Sequence, residues 1–183
     1  MNEISETLKL GSYFLDKVAW GARAGHQTRL RLTDYIAARP AVGVFKLSLQ
    51  GMKRIDTAFA AEAIVGLVAD HCGSRPICVV DLSDADLRAN LAAAAQQSRV
   101  SVMVWQGAEG EALGLRAGSA AHQALTFALR RGEVRAADFS AEAGVSISNA
   151  STRFNKLWRA SLLLRQEHTA SSGGKEYVYR PVQ

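Results

Sequence analysis

Residues 42–49 (VGVFKLSL), 76–82 (PICVVDL) and 100–105 (VSVMVW) are three extended-type apolar runs, and between them lie two helical segments, 57–70 (TAFAAEAIVGLVAD) and 86–99 (DLRANLAAAAQQSR). The first run is rich in β-branched and aromatic residues, and the other two are nearly continuous apolar stretches of the kind buried on both faces. Residues 57–70 are small and apolar on most sides, as suits a helix packed on a sheet; 86–99 is alanine-rich, with Ser83 and Asp84 ahead of it as N-caps. Earlier in the chain, 6–14 (ETLKLGSYF) reads as a strand. After the glycines of 21–25, residues 28–38 (TRLRLTDYIAA) have helical spacing, ended by Arg39-Pro40. Strand and helix thus alternate from the first strand to the last, which implies an α/β layer with a largely parallel central sheet.

The pattern changes after residue 105. In 106–118 (QGAEGEALGLRAGS, counted to Ser119) four glycines interrupt every periodicity, and the charge balance shifts at the same place. Residues 1–115 hold 12 Lys+Arg and 12 Asp+Glu, whereas 116–183 hold 10 and 5, so the net charge of +5 lies in the last 68 residues. The organisation expected is a first domain at 1–105, a Gly-rich linker at 106–118 and a second, basic domain at 119–183.

Within the second domain, Ser119 is a candidate N-cap for a helix to Arg131, which Gly132 stops, and a shorter helix within 134–143 ends at Gly144. A third helix is expected over 146–160, with Ala150, Phe154 and Leu157 on one face and Ser161 continuing it. At about 100° per residue, Ser148, Thr152, Asn155 and Arg159 point the other way, with Asn149 and Lys156 on a flank. From Ala143 to Gln166, 24 consecutive residues carry Arg153, Lys156, Arg159 and Arg165 without a carboxylate. A helix built only for solvation normally mixes signs. Beyond it, LLLRQEHT and EYVYRPV are extended runs joined by the turn ASSGGK.

The α/β pattern invites a search for catalytic signatures. There is no GxGxxG after a strand, no GxxxxGK[ST] and no GxSxG, and no carboxylate pair that serves as acid and base, so no catalytic residue and no cofactor is assigned. Asp81 and Asp84, at a strand's C-terminal end, read either as site residues or, for Asp84, as a cap. The four histidines are scattered without metal-ligand spacing, and no metal is expected. The opening MNEISETLKL lacks a signal-peptide apolar core and no run approaches the roughly 20 residues that cross a bilayer. A soluble, cytoplasmic protein without membrane contact is expected, with free thiols at Cys72 and Cys78.

Two resemblances follow from these residues. The strand FKLSL, the loop GMKRID and the helix beginning TAFAAEAI resemble the STAS-like family, related to the anti-sigma factor antagonist domains. The resemblance implies that Asp56 is the acidic loop residue and Thr57 the hydroxyl at the position a partner kinase phosphorylates. A phosphate there would meet free N–H groups at a helix start. Ala58 and Phe59 replace the Ser-Gly that usually follows, and the alternative role of Asp56 and Thr57 is capping. Residues 119–182 are similar to winged helix-turn-helix regulators in the order of a small-residue helix, Gly-Val-Ser, a helix with a polar first turn, and a Leu-Leu pair entering a hairpin. Ser161 stands where many of those have Gly. That likeness implies that Ser148, Asn149, Thr152, Arg153, Asn155 and Lys156 face double-stranded DNA, with Lys175 at the wing tip and Arg165 on phosphates. Arg153 lies near the buried face and has bracing as its other reading, and Trp158 reads as packing.

The fold class implied is an α/β STAS-like N-terminal domain followed by a small α+β winged-helix C-terminal domain. The function implied is a DNA-binding regulator whose front domain senses a signal, binds a protein partner or dimerises, with a homodimer reading two half-sites. The alternative is an antagonist-like protein-interaction switch that binds no DNA.

Overall fold

The computed structural model describes residues 4–169 and 173–183; three residues of the expected hairpin turn, 170–172, and the first three of the chain lie outside them. In chain order the front half contains β1 (Ser5–Lys9), β2 (Val18–Ala19), α1 (Ala22–Ala37), β3 (Val44–Ser48), β4 (Arg54–Ile55) and α2 (Thr57–Ala60). A π-helical turn, Ala61–Val65, runs from α2 straight into α3 (Gly66–Asp70), and β5 (Ile77–Val80), α4 (Ala85–Ser98), β6 (Val102–Gln106) and β7 (Glu109–Leu113) follow. The back half contains α5 (Ala120–Arg131), β8 (Val134–Arg135), α6 (Ala136–Ala143), α7 (Ile147–Arg159), β9 (Leu163–Thr169) and β10 (Lys175–Pro181).

The fold is mixed α/β around a five-stranded sheet ordered β1-β3-β5-β6-β7. Its first four strands are parallel, with Phe45 beside Ile77 and Val79 beside Val104, and β7 returns antiparallel to β6. Alternate side chains of the strands serve two cores. Phe45, Leu47, Val79 and Val104 pack with Phe59, Ile64 and Leu91 under the front-half helices. Val44, Cys78 and Met103 point to the other face and join Leu125, Phe127, Phe154 and Tyr179 of the back half. β5 and β6 read as nearly continuous apolar runs because both faces are covered.

The front and back halves therefore share a core, and two hydrogen bonds reinforce the junction. Trp105 Nε1 donates to the Val182 carbonyl at 2.6 Å, and the Gly73 N–H donates to Ser161 Oγ at 2.9 Å. Ser161, just past the end of α7, is buried and adopts a left-handed φ of 55°. Glycine would take that conformation at less cost. The serine supplies the hydroxyl that accepts from Gly73, which a glycine lacks.

Three elements differ from expectation. The strand expected over 6–14 ends at Lys9 and passes into a 3-10 turn, Leu10–Tyr13. The helix expected from residue 28 starts six residues earlier, because the glycines of 21–25 do not break it. Gly25 sits where α1 meets α2: a Cβ there would lie 2.8 Å from Glu62 Cβ and 2.9 Å from the Phe59 carbonyl oxygen. A Gly25→Ala change is expected to cost about 1–3 kcal/mol despite alanine's better helix propensity, measured by urea unfolding. Thirdly, the glycine-rich stretch expected as linker contains β7, whose sequence EGEAL shows no strand alternation. As an edge strand it buries only Leu113.

Cys72 and Cys78 are free thiols. Cys78 is fully buried in the shared core, and that burial pushes its thiol up to about 12, whereas Cys72 is exposed. Alkylation of the native protein at pH 8 is expected to modify Cys72 alone, with Cys78 reacting only after unfolding, as read by peptide mass spectrometry. No described helix is long and apolar enough to cross a membrane.

Candidate nucleic-acid interface

Ser119 begins α5 by accepting from the His122 N–H at 3.2 Å, and Ser146 begins α7 by accepting from the Asn149 N–H at 3.2 Å. Between α6 and α7 the chain turns at Gly144, whose φ is 66°. That turn sets α7 against α6 and α5 through Ala150, Phe154 and Leu157, all buried. An aromatic row ties the three helices to the hairpin. Ring centroids lie 5.2 Å apart for Phe127 and Phe139, 5.5 Å for Phe139 and Phe154, and 5.1 Å for Phe154 and Tyr179. The hairpin of β9 and β10 gains a third strand in β8, giving the order β8-β10-β9.

The side of α7 away from this core exposes Ser148, Asn149, Thr152, Lys156 and Arg159, while Ile147, also exposed, lies toward α6 and β10. Lys156 and Arg159 enter no ion pair among the described residues, in contrast to Arg130 and Arg131, which share Glu142. Thr152 Oγ1 donates to the Ser148 carbonyl at 2.9 Å.

The remaining residues expected to face DNA are engaged within the protein. Asn155 is half-buried and accepts at 2.9 Å from Arg165 Nη1. The Arg165 guanidinium lies 3.5 Å from the Trp158 ring centroid and 4.4 Å from that of Tyr177. Helix and hairpin are bridged by this stack, in which Trp158 has a packing role. Arg153 Nε donates to Asn149 at 2.7 Å, and its Nη1 reaches Gln123 of α5 at 3.4 Å, with the guanidinium 5.6 Å from the Phe139 ring centre. Arg153 therefore braces α7 against α5 and α6. Lys175 is exposed on the hairpin, 2.9 Å from Glu167. The Lys175 hydrogen bond holds the Glu167 carboxyl below the usual range.

In the front half, Asp56 Oδ1 accepts from the N–H groups of Phe59 at 2.8 Å and Gly21 at 3.0 Å. It caps α2 and pins the turn before α1. Thr57 Oγ1 donates to Asn90 Oδ1 at 3.1 Å, and Asn90 Nδ2 donates to the Ile55 carbonyl at 2.9 Å, so a modified Thr57 would forfeit that bond. Asp84 caps α4 through the N–H groups of Asp86 and Leu87, both at 2.9 Å. Asp81 accepts from Ser48 Oγ and has a left-handed φ of 59°.

Sequence reasoning missed Ile147, whose side chain is 59% exposed in the first turn of α7, and the pair Leu15, fully exposed, and Trp20, 65% exposed. Trp20 borders a pocket of about 320 Å³ with Lys53, Arg54 and Asn90. No group of three or more metal-ligating side chains occurs among the described residues. Set against protein-family models, characterised proteins and solved structures, the chain matches none.

Proposed function

We propose that this chain is a cytoplasmic DNA-binding transcriptional regulator. In this reading α5, α6, α7 and the β8-β10-β9 sheet are a winged helix-turn-helix, and the front half is a STAS-like unit that senses a signal, binds a partner or holds two copies together. One observation carries it: α7 exposes hydroxyls, an amide and two unpaired cations with no carboxylate, while its apolar side is locked in the shared core. At 1.5 Å per residue α7 is about 20 Å long and fits a major groove about 12 Å wide. Ser148 and Asn149 would approach base edges, and Lys156 and Arg159 would neutralise phosphates. The Asn155–Arg165 bridge would hold helix and hairpin in one register on the duplex. No catalytic step and no cofactor belong to the reading.

Incubated with a pool of random duplexes, the protein is expected to enrich a short motif, and as a homodimer two half-sites about 10 base pairs or a multiple apart. Failure to retain any duplex at about 50 mM salt, where backbone binding is strong, would favour a second reading. That reading is a protein-interaction switch without DNA binding, and the exposure of Trp20 beside Lys53 and Arg54 is the observation in its favour.

A further inference from the structure

We propose that the hydrogen bond from Arg153 to Asn149 sets which base α7 reads, by leaving Asn149 a donor-only amide that selects guanine over adenine at one position of the duplex. The inference rests on the DNA-binding reading and adds to it a determinant of specificity.

An asparagine side chain carries one acceptor oxygen and two N–H donors. Used together they match the N6 and N7 groups of adenine, which is how a free asparagine selects that base in the major groove. On α7 the match is broken. Asn149 Oδ1 accepts from Arg153 Nε at 2.7 Å, four residues on along the same helix. A guanidinium has donors and no acceptor, so the end of the amide that meets it is the oxygen. The second lone pair of that oxygen lies beside the guanidinium charge, which weakens acceptance from the partly positive amino group of adenine.

Arg153 is itself held from two other helices. Its Nη1 reaches Gln123 Oε1 of α5 at 3.4 Å, and its guanidinium lies 5.6 Å from the ring centre of Phe139 in α6. Asn149 is anchored at its main chain, where its N–H donates to Ser146 Oγ, and its side chain is exposed. The packing of α5 and α6 therefore orients the amide through Arg153, a positioning residue that touches no base. What remains for the duplex is Nδ2 with its two hydrogens. Guanine offers two acceptors at its major-groove edge, N7 and O6, whereas adenine offers N7 beside an amino donor. A donor-only amide satisfies both groups of guanine and one of adenine.

The test is enrichment from a random duplex pool with wild type and three variants, each checked for folding by its thermal midpoint. Wild type is expected to enrich a motif with guanine favoured over adenine by about tenfold at one position, which Asn149→Ala identifies by losing the preference there alone. Arg153→Met frees the oxygen and is expected to move that position from guanine to adenine. An arginine that only braced the fold would instead lower affinity across the whole motif and leave the base unchanged. Asn149→Asp keeps the acceptor for Arg153 and exchanges the amide nitrogen for a second oxygen, so the position is expected to become cytosine, whose N4 donates. Adenine at the Asn149 position in wild type, a motif untouched by Asn149→Ala, or guanine retained in Arg153→Met overturns the inference and leaves the DNA-binding reading standing. If Arg153→Met does not fold, guanine retained in Asn149→Asp overturns it equally. Wild type that retains no duplex overturns that reading and the inference together.

Discussion

Replacing Lys156 and Arg159 together with alanine is expected to weaken binding to every duplex by about ten- to a hundredfold near physiological salt. Both side chains are exposed on α7 and neither enters an ion pair among the described residues. They are free to neutralise phosphates without breaking any internal contact. Each lost phosphate contact removes about 0.9 from the slope of log affinity against log salt, so the double variant should show a slope shallower by roughly 2. Stability should stay within about 0.5 kcal/mol of wild type, since surface changes away from caps and cores cost little. A variant with full affinity and an unchanged slope would place DNA elsewhere on the molecule. By contrast, Arg165→Ala removes the stack between Trp158 and Tyr177 and acts by loosening the hairpin.

Phe154→Ala is expected to cost about 3–5 kcal/mol, the largest effect of any single change considered. The ring is fully buried between Phe139 and Tyr179, and the same cluster takes in Val44, Cys78 and Met103 of the central sheet. Because that cluster crosses from the back half into the sheet, the two halves should lose structure together. Urea unfolding followed by far-ultraviolet circular dichroism and by tryptophan fluorescence should give coincident transitions in wild type and variant, the variant's at lower urea. Two separated transitions, with only one moved by Phe154→Ala, would mean that the halves are independent and that their contact contributes little.

How much of this could be read from the chain alone depended on how local the deciding contact was. The central strands at 77–80 and 102–106 were legible because burial on both faces leaves a nearly unbroken apolar run, and 44–48 because it is rich in β-branched and aromatic residues. The edge strand β7 and the two-residue strands β2, β4 and β8 were not, because pairing on few backbone groups asks nothing of the side chains. Gly25 looked like a break since nothing near it in sequence reveals that α2 presses on it. On α7 the helical period placed Ser148, Thr152 and Arg159 outward with Lys156 on the flank, and all four are exposed. It failed to separate Asn155 from them, because the partner that turns Asn155 inward is Arg165, ten residues on. Ser161 was noticed as a departure from glycine, but its reason lies 88 residues away at Gly73.

The shared core also limits how a front-half signal could reach α7. With Ser161 bonded to Gly73 and Trp105 to Val182, the end of α7 and the last strand are fastened to loops and strands of the central sheet. A ligand or partner on the front half would act on α7 only through differential contact with two arrangements of this junction.

The most direct measurement is a fluorescence anisotropy titration of wild-type protein against a labelled duplex pool at about 50 and 200 mM salt. The account predicts saturable binding at the lower salt and a loss of at least tenfold at the higher, as expected when two or more phosphates are neutralised. Absence of binding to any duplex at the lower salt, from protein shown to be folded, would contradict it.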